Sequence, residues 1–318
     1  MKKSIAIITI LGPFMAYLLL SFALTVSTIA LSAPLKSFQG LIEQRSLPRE
    51  IVIEIRKEFK KEVMLYQEFQ IEMARRYPRE IHRPVVKLNL ITEGARETVG
   101  ILGGMGPLSD SKILVEVVSR LEEEKIKKNI SLLSLPPPRG LVDYLRYGLS
   151  YFIHFNDFMK NNFSQVFLAS NSAHTNLWLL KLMGEAQLYF NLPQYIVNSI
   201  GKSTVEQPIL ILGTTALWES KLYENLMKDK NIPYLSLKEN DQISIQLLIN
   251  NIKAQGPQPA ETKNYLQRIS KKYGTNRLLL ACTELPLGLG AEQPSPDIVL
   301  IDSEQYLIIA ILHTITQE

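Results

Sequence analysis

The chain has 318 residues, which is enough for two ordinary domains. Its 35 basic and 31 acidic side chains give a net charge of +4, and the basic residues are spread along the chain, so the composition does not indicate a nucleic-acid-binding protein. A single cysteine, Cys282, excludes an intramolecular disulfide, and the histidines lack the spacing of a zinc site, so we expect no metal: His82, His154, His174 and His313.

The first 35 residues form an apolar segment behind a basic start. After MKK no charged residue occurs until Lys36. The segment exceeds the roughly 7 to 15 apolar residues of a signal-peptide core and reaches the roughly 20 that span a bilayer. Ala30 and Ser32 also form a small-residue cleavage pattern. The segment is therefore either a cleaved signal peptide or a retained anchor. If it is retained, residues 4–35 contact the membrane.

Basic residues follow this segment as well as precede it, so the positive-inside rule favours export of the C-terminal part only weakly. We expect a protein of the cell envelope, periplasmic or membrane-anchored, with a cytoplasmic location as the less favoured alternative. The other interpretation of the segment is a buried helix of a soluble fold.

Residues 36–97 are predicted to form a helical extension or linker. Within it, the sequence from Ser46 to Arg76 is rich in charged residues and carries apolar residues at irregular helical spacing, and Pro78 marks the end of this helix. We expect an amphipathic spacer, or a brace that packs on the main body. A membrane-surface helix and a dimerising helix are the alternatives.

From Glu97 onward, short apolar runs alternate with helix-like segments, which is typical of parallel sheets covered by helices. The runs are TVGILGG, ISLLSL, QVFLAS, YIVNS, PILILGTT, RLLLACTE and DIVLID. The chain therefore belongs to the α/β class.

The α/β region contains the same sequence pattern twice. TVGILGGMGP and PILILGTTAL are each a strand that ends in glycine, and each is followed nearly seventy residues later by a strand with a polar end, VFLASNS or LLLACTE. We therefore predict two similar halves, 98–205 and 206–318. Since ligands bind beyond the carboxyl ends of parallel strands, these four ends should meet at one cleft, with Ser170 and Cys282 on opposite sides.

Three motifs carry a resemblance to a known family. GILGGMGP at 100–107, SNSAH at 170–174 and ACTELP at 281–286 together resemble the cofactor-independent aspartate/glutamate racemase family, over about residues 98–310. The resemblance implies two flavodoxin-like domains with parallel sheets and an active-site cleft between them. It also implies a homodimer, a small acidic amino acid as substrate, and catalysis without a cofactor.

In that family two cysteines, one from each half, remove and return the α-proton on opposite faces of the substrate. Cys282 matches the cysteine of the second half, and Thr283 and Glu284 follow it as in the family pattern. In the first half the family cysteine aligns with Ser170, so one catalytic position carries a hydroxyl. The resemblance thus implies Cys282 as principal acid/base, with Ser170 beside the substrate.

The resemblance also implies a set of substrate-binding residues. Arg139 and Lys253 match family cations that suit a second carboxylate. GTTALWES keeps Thr214 but has Ala216 and Leu217 where the family has glycine and a substrate-contacting threonine. The complete implied set is Met105, Arg139, Asn171, Ser172, Thr214, Lys253, Thr283 and Glu284.

The residues themselves suggest how the chemistry is supplied. A thiolate is a suitable base, and its pKa falls at a helix N-terminus or beside cations. Cys282 follows a strand and Pro286 suits the start of a helix, so we expect a low pKa; the alternative is a small buried hydrophobe.

Ser170 is a weak base unless His174, one helical turn later, assists it as an auxiliary residue. We favour the alternative, in which Ser170 and Asn171 cap the helix and His174 makes a local hydrogen bond.

Three functions follow from these residues. The first is a racemase of aspartate or glutamate, slowed by Ser170. The second is a one-base decarboxylase or isomerase of dicarboxylates that uses Cys282 alone. The third is a non-catalytic amino-acid-binding protein of the cell envelope, which the loss of one cysteine would suit.

Overall fold

The computed structural model describes residues 86–90, 98–103, 107–123, 128–134, 158, 163–176, 188–201 and 207–316. The predicted signal peptide or anchor at 1–35 and the amphipathic helix of the extension lie outside the described residues, as do Met105 and Arg139. Among the helices that are described, none is long and apolar enough to cross a membrane.

The first sheet has four strands in the order β1-β3-β2-β4. β2 is parallel to both β3 and β4, whereas β1 is antiparallel to β3. The strands are β1 Val86–Leu90, β2 Thr98–Leu102, β3 Asn129–Ser134 and β4 Phe163–Leu168, and helix α1, Pro107–Glu123, joins β2 to β3.

Strand β1 corrects one prediction, because Val86–Leu90 was assigned to the helical extension. Its sequence VKLNL alternates apolar and polar residues, as expected for the edge of an antiparallel pair. Val86 lies opposite Ser134, and Leu90 lies opposite Ile130. The last part of residues 36–97 therefore belongs to the first sheet.

Two short helices occur among the residues described between β4 and Gly201. A 3₁₀ helix, Asn171–Asn176, is separated from the end of β4 by two residues, Ala169 and Ser170. Helix α2 spans Leu192–Ile200. Asn191 caps α2, because its side-chain oxygen accepts a hydrogen bond from the backbone N–H of Gln194. Pro193 in the first turn has no N–H to leave unpaired.

The second sheet also has four strands, all parallel, in the order β6-β5-β7-β8. These strands are β5 Ile209–Gly213, β6 Tyr234–Ser236, β7 Arg277–Ala281 and β8 Val299–Asp302. The helices are α3 Thr215–Ser220, α4 Leu222–Asp229, α5 Glu239–Gln255, α6 Pro259–Tyr273, α7 Glu284–Leu289 and α8 Ser303–Thr316. The predicted α/β class with parallel sheets is confirmed. The predicted boundary at 205/206 falls between described residues and stays a prediction.

Alternating side chains on β5 and β7 divide the interior into two cores. Ile209, Ile211 and Leu279 belong to a core that also contains β2 and β3 residues of the first sheet, such as Ile101 and Leu132. The intervening side chains belong to a second core, which α5, α6 and α7 cover: Leu210, Leu212, Leu278 and Leu280. The second sheet is therefore buried on both faces, as its continuous apolar strands predict.

Two glycines permit close packing where strands end. A Cβ atom at Gly103 would collide with the carboxylate of Asp110, and one at Gly213 would collide with Leu217. Both helices that follow these strands therefore approach the strand ends closely. This brings α1 and α3 to the edge of each sheet where the predicted site lies.

Candidate active site

The predicted site residues lie at the carboxyl ends of strands in both sheets. Ser170 follows β4 in the first sheet. In the second sheet Thr214 follows β5, and Cys282 follows β7. Because the strands of each sheet that carry these residues are parallel, their polar ends lie at one edge of their sheet.

Two pairs of hydroxyls connect the strand ends of the two sheets. Ser172, in the 3₁₀ helix, lies with its Oγ atom 2.6 Å from Oγ1 of Thr214. On the other side, the Thr283 hydroxyl donates a hydrogen bond to Oγ of Ser109 in α1, at 3.3 Å. The motif that contains Ser170 thus contacts the residue after β5, and the motif that contains Cys282 contacts α1, so each motif meets the other sheet's part of the fold.

Cys282 is buried, with 5% of its surface exposed. Its Sγ atom donates a hydrogen bond to Oε2 of Glu284 at 2.9 Å, and Lys253 Nζ lies 3.8 Å from Oε1 of the same carboxylate. The apolar neighbours of the thiol belong to the second core. The structure thus places together three of the predicted residues: Cys282, Glu284 and Lys253.

Burial raises the pKa of the Cys282 thiol well above its usual value, and the negative charge of Glu284 raises it further, while Lys253 lowers it. The sequence-based expectation of a low pKa is therefore wrong for the structure as it stands. The start of α7 and the ammonium group of Lys253 are outweighed by desolvation and by a carboxylate two residues away. The resting thiol is protonated at neutral pH.

His174 makes a local hydrogen bond within the 3₁₀ helix. Its Nδ1 atom lies 3.0 Å from the carbonyl oxygen of Ser170, to which it donates. Burial lowers the pKa of the imidazole to about 4, so the ring is neutral. Since this nitrogen is directed to the carbonyl and not to the hydroxyl, the contact holds the backbone of Ser170 and does not activate its side chain.

The structure also brings in three residues that the sequence did not single out. Ser109 contacts Thr283, and both Tyr223 and Ser303 contact Asn171. Ser303 had a weak signal, because it follows the apolar run of β8 and so stands at a strand end. For Ser109 and Tyr223 the sequence contains no signal beyond the residue type.

No group of three or more histidine, cysteine, aspartate or glutamate side chains among the described residues is arranged to hold a metal ion. The polar groups that gather at the strand ends are mainly hydroxyls and amides, together with the Cys282, Glu284 and Lys253 cluster. Such groups suit proton transfer and the binding of a small polar molecule.

Solved structures share this fold. No protein-family model matches the chain, and no curated protein matches it. Aspartate racemase from Picrophilus torridus is 21% identical, with a TM-score of 0.53 over 69% of this chain and 94% of that chain. A Yersinia pestis protein assigned as an Asp/Glu racemase is 15% identical, with a TM-score of 0.53 over 69% of this chain and 99% of that chain. At these identities the likeness establishes the α/β fold.

Proposed function

We propose that this protein is a racemase of acidic amino acids that works without pyridoxal phosphate, with Cys282 as principal acid/base and Ser170 on the other side of the substrate. The observation that carries the proposal is the meeting of the strand ends, through Ser172 and Thr214 at 2.6 Å and through Ser109 and Thr283 at 3.3 Å. In each contact, a residue of one racemase-like motif meets a residue that follows a strand of the other sheet. The solved aspartate racemase with the same fold supports the assignment.

The proposed reaction begins with a minor ionised form of Cys282. The thiolate removes the α-proton, so the carbon–hydrogen bond breaks, a sulfur–hydrogen bond forms, and the electron pair moves toward the substrate carboxylate. Return of the proton from Cys282 restores the starting enantiomer. Return of a proton from the Ser170 side, by its hydroxyl or a water molecule that it holds, gives the opposite enantiomer. The alkoxide or hydroxide left behind then takes a proton from solvent, and Cys282 releases to solvent the proton that it removed.

The charges near the thiol suit an acidic substrate. Lys253 is a partly buried cation, with 15% of its side chain exposed, and its Nζ atom lies 3.8 Å from Oε1 of Glu284. We propose that its ammonium group helps to hold a substrate carboxylate, together with Arg139. A homodimer and a location in the cell envelope remain proposals drawn from the sequence.

The test is α-proton exchange in heavy water. The full chain is incubated with each enantiomer of aspartate and of glutamate, loss of the α-proton is followed by NMR, and chirality is measured on the same samples. Exchange with inversion is the expected result, and Cys282→Ala should abolish both. Exchange or inversion that survives Cys282→Ala would overturn the assignment of the acid/base.

One observation favours the second candidate, a one-base decarboxylase or isomerase acting on a dicarboxylate. Cys282 is the only cysteine of the chain, and it is buried and protonated at rest. Ser170 carries an alcohol, which is a weak acid and a weak base, so Cys282 would be the one side chain that transfers a proton. Exchange without inversion would support this candidate. Binding without exchange, measured by calorimetry, would support the third function, an amino-acid-binding protein.

A further inference from the structure

We infer that Tyr223, Asn171 and Ser303 form a positioning relay, which fixes the segment carrying Ser170 against the strand that leads to Cys282. The Tyr223 hydroxyl donates to Oδ1 of Asn171 at 2.6 Å, and Nδ2 of Asn171 donates to Oγ of Ser303 at 2.9 Å. The Ser303 hydroxyl in turn donates to the backbone carbonyl of Leu280 at 2.7 Å. The role in inversion that we give to this relay rests on the proposed function.

The relay is buried from end to end. Tyr223 and Ser303 are 0% exposed, and Asn171 is 2% exposed. Burial raises the pKa of the Tyr223 hydroxyl, so it stays protonated and acts as a donor. Since the relay ends on a carbonyl, which only accepts, every hydrogen bond in it has one direction. A change at any member leaves a buried polar group without its partner, which is costly, so the arrangement is rigid.

The relay joins four elements that meet near the proposed site. Asn171 begins the 3₁₀ helix directly after Ser170, Tyr223 lies in α4, and Ser303 begins α8. Leu280 lies in β7, two residues before Cys282. The relay therefore connects Asn171, the neighbour of Ser170, to the strand that leads to Cys282. In the proposed reaction, Ser170 and Cys282 act on opposite faces of one α-carbon.

This assignment changes the role predicted for Asn171. The sequence resemblance placed it among the substrate-binding residues. In the structure its amide oxygen and its amide nitrogen both bind buried side chains of the protein. Asn171 is therefore a positioning residue.

The test compares two hydroxyl deletions. Tyr223→Phe removes the first member of the relay, and Tyr265→Phe is the matched control, because Tyr265 is also buried and its hydroxyl donates to the Asp241 carbonyl in α5 at 3.1 Å. Each variant loses one buried hydrogen bond, so each should melt a few degrees lower, roughly 2 to 8 °C. Stability alone therefore does not separate a positioning role from a structural one.

The ratio of inversion to α-proton exchange does separate them. Tyr223→Phe should lower this ratio by roughly 10-fold to 100-fold with KM nearly unchanged, because misplacement of the Ser170 side weakens proton return and leaves proton removal by Cys282 intact. Tyr265→Phe should leave the ratio at the wild-type value. An equal ratio in both variants would overturn the relay's role in inversion.

If the wild type shows neither α-proton exchange nor inversion of the amino acids tested, this result refutes the proposed function but not the relay. A measurement without substrate tests the relay in that case. Tyr223→Phe and Ser303→Ala both act through Asn171, so their melting-temperature losses should not add in the double variant. Tyr265→Phe and Ser303→Ala share no partner, and their losses should add. Additive losses in the first pair would show that no relay exists.

Discussion

The Sγ atom of Cys282 lies 2.9 Å from Oε2 of Glu284, and the two side chains share a buried site at the start of α7. A thiol that donates to a carboxylate holds its proton firmly, because ionisation would place a second negative charge beside the first. Lys253 compensates for one of these charges, not for both. The reactivity of the thiol therefore depends on the balance between Glu284 and Lys253, which substitution can change in either direction.

Neutralising Glu284 should make Cys282 easier to ionise. In Glu284→Gln the nearby negative charge is gone while Lys253 remains, so the pKa of the thiol should fall, and alkylation by iodoacetamide at pH 7 should rise about tenfold for each unit of pKa. The rate of alkylation is measured between pH 6 and 10. Glu292→Gln is the control, since Glu292 pairs with Lys263 at the surface. An unshifted profile in Glu284→Gln would contradict the prediction.

Removing the cation should have the opposite effect. Lys253 lowers the pKa of Cys282, so Lys253→Met should raise that pKa and move the alkylation profile to higher pH. The matched control is Lys263→Met, which removes a lysine from a surface ion pair of the same half. If Lys253→Met and Glu284→Gln moved the profile in the same direction, the charge balance described here would be wrong.

A second thiol in the first half should favour inversion. Ser170→Cys supplies a stronger acid and base on the far side of the substrate, so inversion should rise relative to α-proton exchange by about tenfold or more. The measurement is the heavy-water assay with each enantiomer of aspartate. Ser199→Cys, in α2, is the control for an added cysteine, because Ser199 only donates to the carbonyl of Tyr195 in its own helix. An unchanged ratio would mean that Ser170 is not the limiting group.

Glu304 should make the stability of the protein depend on pH near neutrality. It is 0% exposed at the start of α8, and Lys112 of α1 lies 2.5 Å from its Oε1 atom. Burial raises the pKa of Glu304 to about 7; Lys112 offsets this in part, and Asp302 and Glu116 add to it. In the folded state Glu304 keeps a proton that it releases near pH 4.5 in the unfolded state. Its contribution to the free energy of unfolding is therefore fully present below pH 4.5 and is lost as the pH rises through 7.

The wild type should lose roughly 1 to 3 kcal/mol of unfolding free energy from this group between pH 5 and pH 8. Glu304→Gln should remove that part of the loss, which urea unfolding at several pH values would detect. In Glu292→Gln the slope should match the wild type, because Lys263 holds the pKa of Glu292 below its usual value and so below this range. A wild-type slope that persists in Glu304→Gln would assign the pH dependence to other groups.

The sequence predicted those parts of the fold that depend on local patterns. The apolar runs around Ile101, Leu210 and Leu279 became central strands, because buried parallel strands are apolar on both faces. Strand β1 was missed although VKLNL alternates apolar and polar residues, because five residues that follow charged, helix-like sequence are a weak signal before their pairing with β3 is known. Tertiary context decided this element.

The candidate site was predictable where it follows strand ends and unpredictable where it depends on distant partners. Cys282, Thr214 and Ser170 stand out because polar residues follow apolar runs. Asn171 meets Tyr223 52 residues away and Ser303 132 residues away, separations at which no sequence pattern identifies a partner. The raised pKa of Cys282 was missed for the same reason, since burial is set by the whole second core.

The antiparallel direction of β1 determines where the long N-terminal region is attached. Val86 pairs with Ser134, the last residue of β3, so β1 begins at the same rim of the first sheet that carries the 3₁₀ helix. Helix α8 starts at the matching rim of the second sheet and runs about 20 Å away from it over 14 residues. A tag or surface linkage at the end of α8 therefore leaves the rim with the candidate site open, whereas one placed directly before Val86 would be attached at that rim.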